Sequence, residues 1–355
     1  TKLIKLLREE LTDPLFLDEF RSRFAAPGMS RAYGPGLITA VFAGNVPGLP
    51  IGNIIYALLT KSAILGKSSS AEPLFGSLFA RSIEEVNPQL AQCIAMVSWK
   101  GGDEEIEKQV FGASDAVIVY GSEHSVNEVR KSVPSDVRLI TYGHKLSFGV
   151  IGRESLTKKT VKKTAEKAAR DVSVFDQQGC LSPHVFYAEK GGEISPAEFA
   201  RFLADKMDTL NKILPRSKVS ISESSQILQL RGTYELKEAA DDGITIYASG
   251  EGTDWTVIYE RDPEFVPSCL NRVIRVKPVK DVSEVPALIK HIKGYLQTVG
   301  AALPKNRLLK FADEMGKLGA DRISPLGKMT SPPLFWHHDG RHNLLDLIRW
   351  TDIEE

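Results

Sequence analysis

Apolar residues recur along this chain at two spacings, and the alternation between the two predicts its architecture. From residue 37 to residue 142, short apolar runs typical of buried strands are separated by segments whose apolar positions repeat at helical spacing. The predicted strands are Leu37–Ala43, Ala63–Leu65, Cys93–Val97, Ala116–Tyr120 and Val137–Tyr142. The predicted helices between them are Ile51–Leu59, Pro73–Ile83, Asp103–Phe111 and Ser125–Ser132. This order predicts a doubly wound parallel sheet, in which ligands bind beyond the carboxyl ends of the strands.

The same alternation resumes at Phe148 and predicts a second α/β domain. Its predicted helices are Glu154–Val174, Pro196–Ile213, Val282–Val299 and Arg307–Leu318. Its predicted strands are Val185–Ala188, Ile244–Ala248, Thr256–Tyr259 and Val273–Val276. Before the first sheet, the pattern predicts helices over Leu3–Leu11 and Leu15–Phe24. We therefore expect a first domain over residues 1–147, a second over 148–330, and a C-terminal tail over 331–355 whose packing the pattern does not assign.

Composition narrows the class of protein without changing this picture. A chain of 355 residues exceeds the usual size of one hydrophobic core, and its 42% apolar and 25% charged residues are ordinary for a globular protein. The formal net charge is zero, which argues against a broad nucleic-acid or anionic-membrane surface. Three widely separated cysteines, Cys93, Cys180 and Cys269, are typical of a reducing compartment. No apolar run is long enough to span a membrane and no signal-peptide pattern is visible, so we expect a cytoplasmic protein.

The segment Phe175–His184 is the first candidate for chemistry. It carries Gly179 directly before Cys180, between a predicted helix and a predicted strand. A thiol on such a turn is held by rigid elements and stays accessible, as a nucleophile requires. Cysteine is also among the most commonly buried residue types, so a structural thiol fits these residues equally well when they are taken alone.

Two loops that follow predicted strands carry residues suited to binding a ligand. Asn45 lies after the first strand, where its amide is able to donate a hydrogen bond to a developing oxyanion. Gly121 and Ser122 follow the strand Ala116–Tyr120, where a glycine admits close approach of a ligand to the backbone. An Asn in a turn and a Ser at a helix cap are the ordinary structural explanations of the same residues.

A third loop joins a cation to hydroxyl groups at the start of a predicted helix. Lys67 is followed by Ser68, Ser69 and Ser70, a combination suited to a phosphate or a ribose. The structural explanation is a solvated loop that ends in a serine cap. No Gly-x-Gly-x-x-Gly segment occurs anywhere in the chain, so a dinucleotide would have to bind in a geometry other than the usual one.

The segment His337–His342 contains three histidines and Asp339, which suggests a metal site at first sight. Structural zinc sites usually include thiolates, and no cysteine lies near this segment in sequence. We therefore expect a polar terminal turn and no bound metal.

Taken in this order, the segments resemble the aldehyde dehydrogenase superfamily. More closely they resemble its LuxC-type branch, the acyl-CoA reductases known from bacterial bioluminescence. The resemblance runs from about Leu37 to the C-terminus, and the closing segments Gly327–Met329 and Trp336–Gly340 are similar to the LuxC branch rather than to ordinary aldehyde dehydrogenases. It implies an aldehyde-dehydrogenase-like α/β fold, with a nucleotide-binding and a catalytic domain that are each doubly wound.

The resemblance also implies a role for each candidate residue. The nucleophile of the superfamily sits in a Gly-Gln-x-Cys-type segment, which matches Gln177–Cys180, and its oxyanion donor sits in an Asn-x-Pro segment, which matches Asn45. The segments that contact the nucleotide in the superfamily match Lys67, Ser68, Ser70, Gly121, Ser122 and, in Pro263–Pro267, Glu264.

Two departures from the superfamily pattern are informative. The hydrolytic dehydrogenases carry a Glu-Leu-Gly-Gly segment whose Glu activates water, and the matching segment here is Thr141–His144, which has no carboxylate. His144 is a candidate acid or base in its place, although a histidine in a turn is more often structural. Ser70 stands where the ribose loop of the superfamily has a Glu, which removes a charge that would repel a 2′-phosphate.

The activity implied by the resemblance is NADPH-dependent reduction of a fatty acyl-CoA or acyl-protein thioester to a fatty aldehyde, with CoA as the leaving group. It further implies a homo-oligomer and a complex with acyl-activating or acyl-transferring subunits. An ordinary aldehyde or semialdehyde dehydrogenase and a non-catalytic assembly partner with the same fold remain the alternatives, because fold alone excludes neither.

Overall fold

The computed structural model describes residues 2–241, 243–334 and 336–355. It divides into two compact units, one with the residues up to His144 together with Leu334–Glu355, and the other with Lys145–Pro333. Helices and strands are numbered below in chain order. No helix within the described ranges is long and apolar enough to cross a bilayer.

The first unit is built on a parallel sheet of five strands. These are β3 (Leu37–Val41), β4 (Ala63–Lys67), β5 (Ile94–Val97), β6 (Ala116–Tyr120) and β7 (Arg138–Tyr142). The helices that connect them are α2 (Leu49–Leu59), α3 (Phe75–Val86), α4 (Pro88–Ala91), α5 (Glu104–Gly112) and α6 (Glu123–Ser132). The strands lie in the order β5-β4-β3-β6-β7, so the direction of winding reverses between β3 and β6. In sheets of this kind such a reversal opens a ligand crevice beyond the carboxyl ends of the strands.

A small antiparallel sheet gives the C-terminal segment its packing, which the sequence pattern does not assign. It consists of β1 (Arg21–Ser22), β2 (Met29–Tyr33) and β15 (Arg349–Ile353), in the order β1-β2-β15. Helix α1 (Lys2–Leu11) also holds this segment, because the carboxylate of Glu10 accepts hydrogen bonds from three consecutive amides. Their N–O distances are 2.9, 2.6 and 3.1 Å, from Asn343, Leu344 and Leu345.

The second unit is built on a sheet of seven strands. These are β8 (Leu146–Ile151), β9 (Pro183–Glu189), β10 (Ile244–Ala248), β11 (Thr256–Glu260), β12 (Val273–Val279), β13 (Leu296–Ala302) and β14 (Arg322–Pro325). The order is β10-β11-β12-β9-β8-β13-β14, with β10 antiparallel to β11 and the other described pairs parallel. The helices are α7 (Val161–Ser173), α8 (Pro196–Ile213), α9 (Ile221–Ala240), α10 (Val285–Leu288) and α11 (Lys305–Lys317).

The central strands of this sheet are covered on both faces. Every residue of β9 is buried. Phe186 and Ala188 pack into one apolar cluster with residues of α7 and α8, and Val185 and Tyr187 pack into another that includes residues of α11. Continuous burial of this kind is typical of parallel sheets, whose faces are both covered by helices. The parallel sheet of the first unit and the mostly parallel sheet of the second confirm the predicted α/β class.

Two predicted helices are wrong. The chain over Leu15–Phe24 forms a 3₁₀ turn at Pro14–Leu17 and then enters β1. The chain over Val282–Val299 forms 3₁₀ turns, the four-residue helix α10 and then β13. Gly294 weakens the helical alternative there. The residues of β13 fill the gap between β8 and β14, where burial and strand pairing override helical spacing.

Two further helices differ from the predicted pattern. The helix predicted over Glu154–Val174 begins only at Val161, because the hydroxyls of Thr157 and Thr160 bond to each other (2.8 Å) and to nearby backbone groups instead. Helix α9 was not predicted. It begins with a capping box in which Ser220 and Glu223 each accept a bond from the other's backbone, and a Ser-x-x-Glu spacing in sequence is the signal for it.

Candidate active site

Cys180 lies in a turn that joins α7 to the amino end of β9, as predicted. We call residues 174–182 the Cys180 turn. The residue is half-buried, and the amide of Ser182 donates to the carbonyl of Gly179 at 2.9 Å, which closes the backbone around it. The hydroxyl of Ser147, at the start of β8, donates to the carbonyl of Cys180 at 2.6 Å and accepts from the amide of Thr298 at 3.1 Å. The backbone that carries the thiol is therefore bonded to β8 and, through Ser147, to β13.

The Cys180 turn contains three consecutive non-glycine residues in the left-handed region. Phe175, Asp176 and Gln177 have φ angles of 58°, 51° and 64°. Each such residue costs roughly 1–2 kcal/mol, so the surrounding structure must hold the turn in place. Gln177 helps to hold the turn in place. Its buried side-chain amide donates to the carbonyls of Pro183 (2.7 Å) and Val273 (2.9 Å) and accepts from the backbone amide of Val273 (2.9 Å). It thereby links the base of the turn to the starts of β9 and β12.

The other two cysteines are less suited to act as the nucleophile. Burial raises the pKa of the Cys269 thiol, which lowers the fraction of thiolate at neutral pH. Cys93 lies directly before β5 in the first sheet, at the edge opposite the loops that carry the predicted binding residues Asn45 and Gly121.

In the first unit, the predicted binding residues follow the carboxyl ends of four adjacent strands. Asn45 lies in the exposed turn after β3, and Gly121 and Ser122 lie after β6, so they flank the reversal of winding in the sheet. The hydroxyl of Ser122 caps α6 by accepting from the amide of Ser125 at 3.2 Å. The structural explanation of Ser122 as a helix cap is therefore confirmed, and its contact with a ligand stays a prediction.

Lys67 is the last residue of β4 and is half-buried, and burial lowers the pKa of its ammonium group. Its Nζ lies 5.4 Å from the centre of the Trp99 ring, a cation–π distance. The indole of Trp99 donates to the buried carboxylate of Glu107 at 3.4 Å. Of the serines that follow, Ser68 is buried and Ser70 is exposed.

A carboxylate does stand in this loop, two residues beyond Ser70. Glu72 accepts from the amides of Leu74 (3.2 Å) and Phe75 (2.7 Å) at the start of α3. Amides at a helix start stabilise a negative charge, so this carboxylate is already paired within the loop. The loop from Lys67 to Phe75 therefore has no carboxylate other than one already bonded to backbone amides, and binding of a phosphate there stays a prediction.

His144 and Thr141 lie at the end of β7. His144 is exposed in the segment that follows the strand, and Thr141 is half-buried within it. The carbonyl of Thr141 accepts from Arg341 at 2.9 Å, and the Arg341 guanidinium lies over the Tyr142 ring at 4.9 Å. The strand end that would carry a water-activating carboxylate in a hydrolytic relative is therefore occupied here by a neutral hydroxyl.

Glu264 lies in the connection between β11 and β12, and its side chain is exposed. The adjacent Phe265 is buried in an apolar cluster. Two buried cations of β12 hold the connection, because Lys277 donates to the carbonyl of Asp262 at 2.8 Å and Arg275 donates to the carbonyl of Pro267 at 3.1 Å. The exposed carboxylate of Glu264 is therefore presented on a segment that is anchored on both sides.

The histidine-rich segment packs through its rings. His338 stacks on Tyr142, with centroids 4.3 Å apart, and lies 4.6 Å from Trp336. His337 packs edge-on against His342 at 4.8 Å. Within residues 2–241, 243–334 and 336–355, no three His, Cys, Asp or Glu side chains are grouped as a metal ion would require.

Several residues that shape the site in the second unit were not predicted from the sequence. Two of them, Ser147 and Arg272, are almost fully buried. Arg275 and Lys277 carried a usable signal, since they alternate with apolar residues in a strand that is otherwise typical of a protein core.

Comparison with known proteins shows the family to which this chain is similar. A family model described as acyl-CoA reductase (LuxC) matches residues 1–350. A long-chain acyl-protein thioester reductase of Photorhabdus luminescens is 26% identical over 358 residues, which cover 99% of this chain and 70% of that protein. A protein of the same description from Aliivibrio fischeri is 26% identical over 328 residues, covering 91% of this chain and 65% of that one. The chain thus spans between 65% and 70% of the length of these relatives.

Solved structures extend the likeness to the fold. The glyceraldehyde-3-phosphate dehydrogenase GapN of Methanocaldococcus jannaschii, complexed with NADP, has a TM-score of 0.70 at 14% identity, over 100% of this chain and 86% of that one. The fold is therefore that of the aldehyde dehydrogenase superfamily, as expected. Because the family model covers nearly the whole sequence, the chain belongs to the LuxC family of acyl-CoA reductases, which are oxidoreductases.

Proposed function

We propose that this protein reduces a long-chain acyl thioester to a fatty aldehyde with NADPH, through an acyl group carried on Cys180. The observation that carries the proposal is the placement of Cys180, which is half-buried on a turn bonded to β8 and closed by Gln177. The printed descriptions of the relatives, long-chain acyl-protein thioester reductases, support the substrate class.

In the first proposed step, Sγ of Cys180 forms a bond to the carbonyl carbon of the acyl thioester. The bond between that carbon and the donor sulfur breaks, and the donor, CoA or a protein thiol, leaves as a thiolate that takes up a proton. The oxyanion formed on the way requires hydrogen-bond donors, and the proposal assigns this role to the Asn45 amide and the backbone N–H of Cys180. Splitting the reaction at an acyl-enzyme gives two easier steps.

The second step requires a reductant. When bound, NADPH would fill this role by transferring a hydride to the acyl carbon. The residues of the first unit fit such a ligand: Lys67 provides a cation, Ser70 an exposed hydroxyl, and the only carboxylate of that loop, Glu72, is paired with the amides of α3. We assign Ser68, Gly121, Ser122 and, in the second unit, Glu264 to the same role on the basis of the family resemblance. When the carbonyl carbon has been reduced, the bond from Sγ of Cys180 to that carbon breaks, the aldehyde leaves and the thiolate is regenerated.

The alternative of a hydrolytic aldehyde dehydrogenase lacks its base in this chain. The position similar to the water-activating Glu is Thr141, whose hydroxyl is not basic near neutral pH. His144 is the remaining candidate base at this strand end, and we assign it an acid or base role in the proposed reaction. Because no carboxylate stands at position 141 to activate water, the acyl-enzyme should persist until hydride or a thiol reaches it.

The test is a product assay with the purified protein, a long-chain acyl-CoA and NADPH. The proposal predicts fatty aldehyde and stoichiometric free CoA, with little free acid when NADPH is omitted. Oxidation of added aldehyde without any acyl-CoA reduction would favour an ordinary dehydrogenase, and absence of both reactions would favour a non-catalytic subunit. Repeating the assay with acyl-CoA of graded chain length, and with an acylated carrier protein, separates the possible donors.

A further inference from the structure

A second left-handed turn faces the Cys180 turn in the second unit. Leu270, Asn271 and Arg272, directly before β12, have φ angles of 65°, 55° and 64°, so this facing turn (residues 270–272) repeats the unusual conformation of residues 175–177. Consecutive left-handed residues other than glycine are disfavoured, and they persist only where the surroundings over-determine them. Because the two turns are bonded to each other, each helps to hold the other in this conformation.

The side chains of three consecutive residues of the Cys180 turn bond to the facing turn or to the residue that follows it. Arg272 pairs with Asp176, with Nε and Nη2 lying 2.7 and 2.6 Å from the same carboxylate oxygen. Gln178 donates to the amide oxygen of Asn271 at 2.9 Å, and Gln177 bonds to both backbone groups of Val273. Every residue from 176 to 178 is therefore bonded to a residue between 271 and 273.

The centre of this arrangement is a buried ion pair. Arg272 is 1% exposed, and its Nη1 also donates to the side-chain oxygen of Asn211 and to the carbonyl of Leu214, both at 2.9 Å. The second carboxylate oxygen of Asp176 accepts from the amide of Ser217 at 3.0 Å. Burying an ion pair of this kind gains little stability over an apolar pair, so its value lies in fixing one geometry.

We propose that Arg272 and Asp176 are positioning residues for Cys180, holding the thiol-bearing turn in the one backbone conformation from which Sγ attacks an acyl thioester. The inference rests on the proposed function, in that it takes Cys180 to be the acylated residue. Attack on a carbonyl requires a fixed approach, and displacement of the nucleophile by about 1 Å is enough to slow such a reaction about 100-fold. The Arg272–Asp176 pair acts through the backbone and does not touch the substrate.

The test measures two reactions of Cys180 in Arg272→Lys and in the nearly isosteric Asp176→Asn. Acyl transfer from acyl-CoA needs a fixed orientation of the thiol, and alkylation by iodoacetamide does not. Transfer of the acyl group from acyl-CoA to Cys180 should slow about 100-fold, with KM for acyl-CoA changed by less than about threefold. Alkylation of Cys180 by iodoacetamide should change by less than about threefold, since a small reagent approaches a mobile thiol from many directions. Binding of NADPH, measured by its fluorescence, should stay as in the wild type.

Arg231→Lys is the matched control. Arg231 is also buried in the second unit and makes four hydrogen bonds, to Thr256, Gly252, Ser249 and Trp255, but none to the Cys180 turn. At an equal loss of thermal stability, it should keep an acyl-transfer rate close to the wild type. Should Arg272→Lys not fold, Asp176→Asn decides, because it keeps the volume of the side chain.

Acyl transfer within about threefold of wild type in a folded Asp176→Asn protein would overturn the inference. Equal slowing in Arg231→Lys would do the same, because it would show a general effect of lost stability. Absence of acylation on Cys180 in the wild type would refute the proposed function instead. That result is distinguishable from a failure of the positioning inference, because it is seen in the wild type alone.

Discussion

Substitution of Asp171 tests how a buried carboxylate controls the stability of the second unit. Asp171 lies in α7, is fully buried, and accepts from the amides of Gly327 (2.5 Å) and Met329 (3.0 Å). Burial raises its pKa from 3.8 to about 6, and the two amide bonds oppose this only in part. The folded protein therefore binds a proton at Asp171 more tightly than the unfolded chain does.

The sign and size of the effect follow from this difference. Stability from the protonated Asp171 is fully present below pH 3.8 and is lost as the pH rises through about 6. The full difference amounts to about 3 kcal/mol, at about 1.4 kcal/mol for each tenfold change in proton affinity. About 2 kcal/mol of this falls between about pH 4.5 and 7.5, where urea unfolding is practical.

The assay is the free energy of unfolding in urea at those two pH values, for the wild type and for Asp171→Asn. Asn does not titrate, and the bond that it loses costs the same at both pH values. Relative to the variant, the wild type should therefore lose about 2 kcal/mol on going to the higher pH. Asp208→Asn, on the exposed surface of α8, is the control. Coincident fluorescence and circular dichroism transitions would show that unfolding is two-state. An equal pH dependence of the unfolding free energy in the wild type and in Asp171→Asn would refute the reasoning.

Three further predictions concern the chemistry. Ser70→Glu should lower the NADPH-to-NADH ratio of kcat/KM by about 10-fold or more, because a carboxylate repels a 2′-phosphate; equal use of both cofactors by the wild type would count against this. Thr141→Glu should raise the ratio of free acid to aldehyde, since a positioned base contributes about 10²–10⁴-fold to attack by water. If the wild type already yields mostly acid, His144→Ala will show whether the imidazole is the base. Asn45→Ala should lower kcat by about 10²–10³-fold with little change in KM, and an unchanged kcat would remove Asn45 from the oxyanion role.

The first sheet could be predicted strand by strand because its signals are local. Each of its five strands is a short apolar run, and Asn45, Lys67 and Gly121 each lie at or just after the end of such a run. Parallel strands place all their carboxyl ends along one edge, so the sequence order alone groups these loops on the ligand side of the sheet. The position of Cys180 between a helix and a strand was predictable in the same way.

The support of the Cys180 turn could not be predicted, because its partners are distant in sequence. Arg272 and Asp176 are 96 residues apart, and Ser147 is 33 residues from Cys180. A single sequence gives no sign that these side chains meet. The left-handed backbone of Phe175 to Gln177 was equally hidden, since no glycine occupies those positions and Phe and Gln rarely adopt this conformation.

The strand β13 shows a different limit. Its residues, Leu296–Ala302, have helical spacing with the preceding segment, but they are buried between β8 and β14. A short apolar run of small and β-branched residues is locally compatible with a helix or with a strand. Its pairing with β8 and β14 in the folded sheet decides in favour of the strand.

The most direct test of the central claim is mass spectrometry of the protein after incubation with a long-chain acyl-CoA in the absence of NADPH. The account predicts one acyl group per chain, found on the peptide that contains Cys180, and its release as aldehyde when NADPH is added. Cys93→Ser and Cys269→Ser should acylate as the wild type does, and Cys180→Ala should not acylate. An adduct confined to Cys93 or Cys269, or aldehyde formation by Cys180→Ala, would contradict the account.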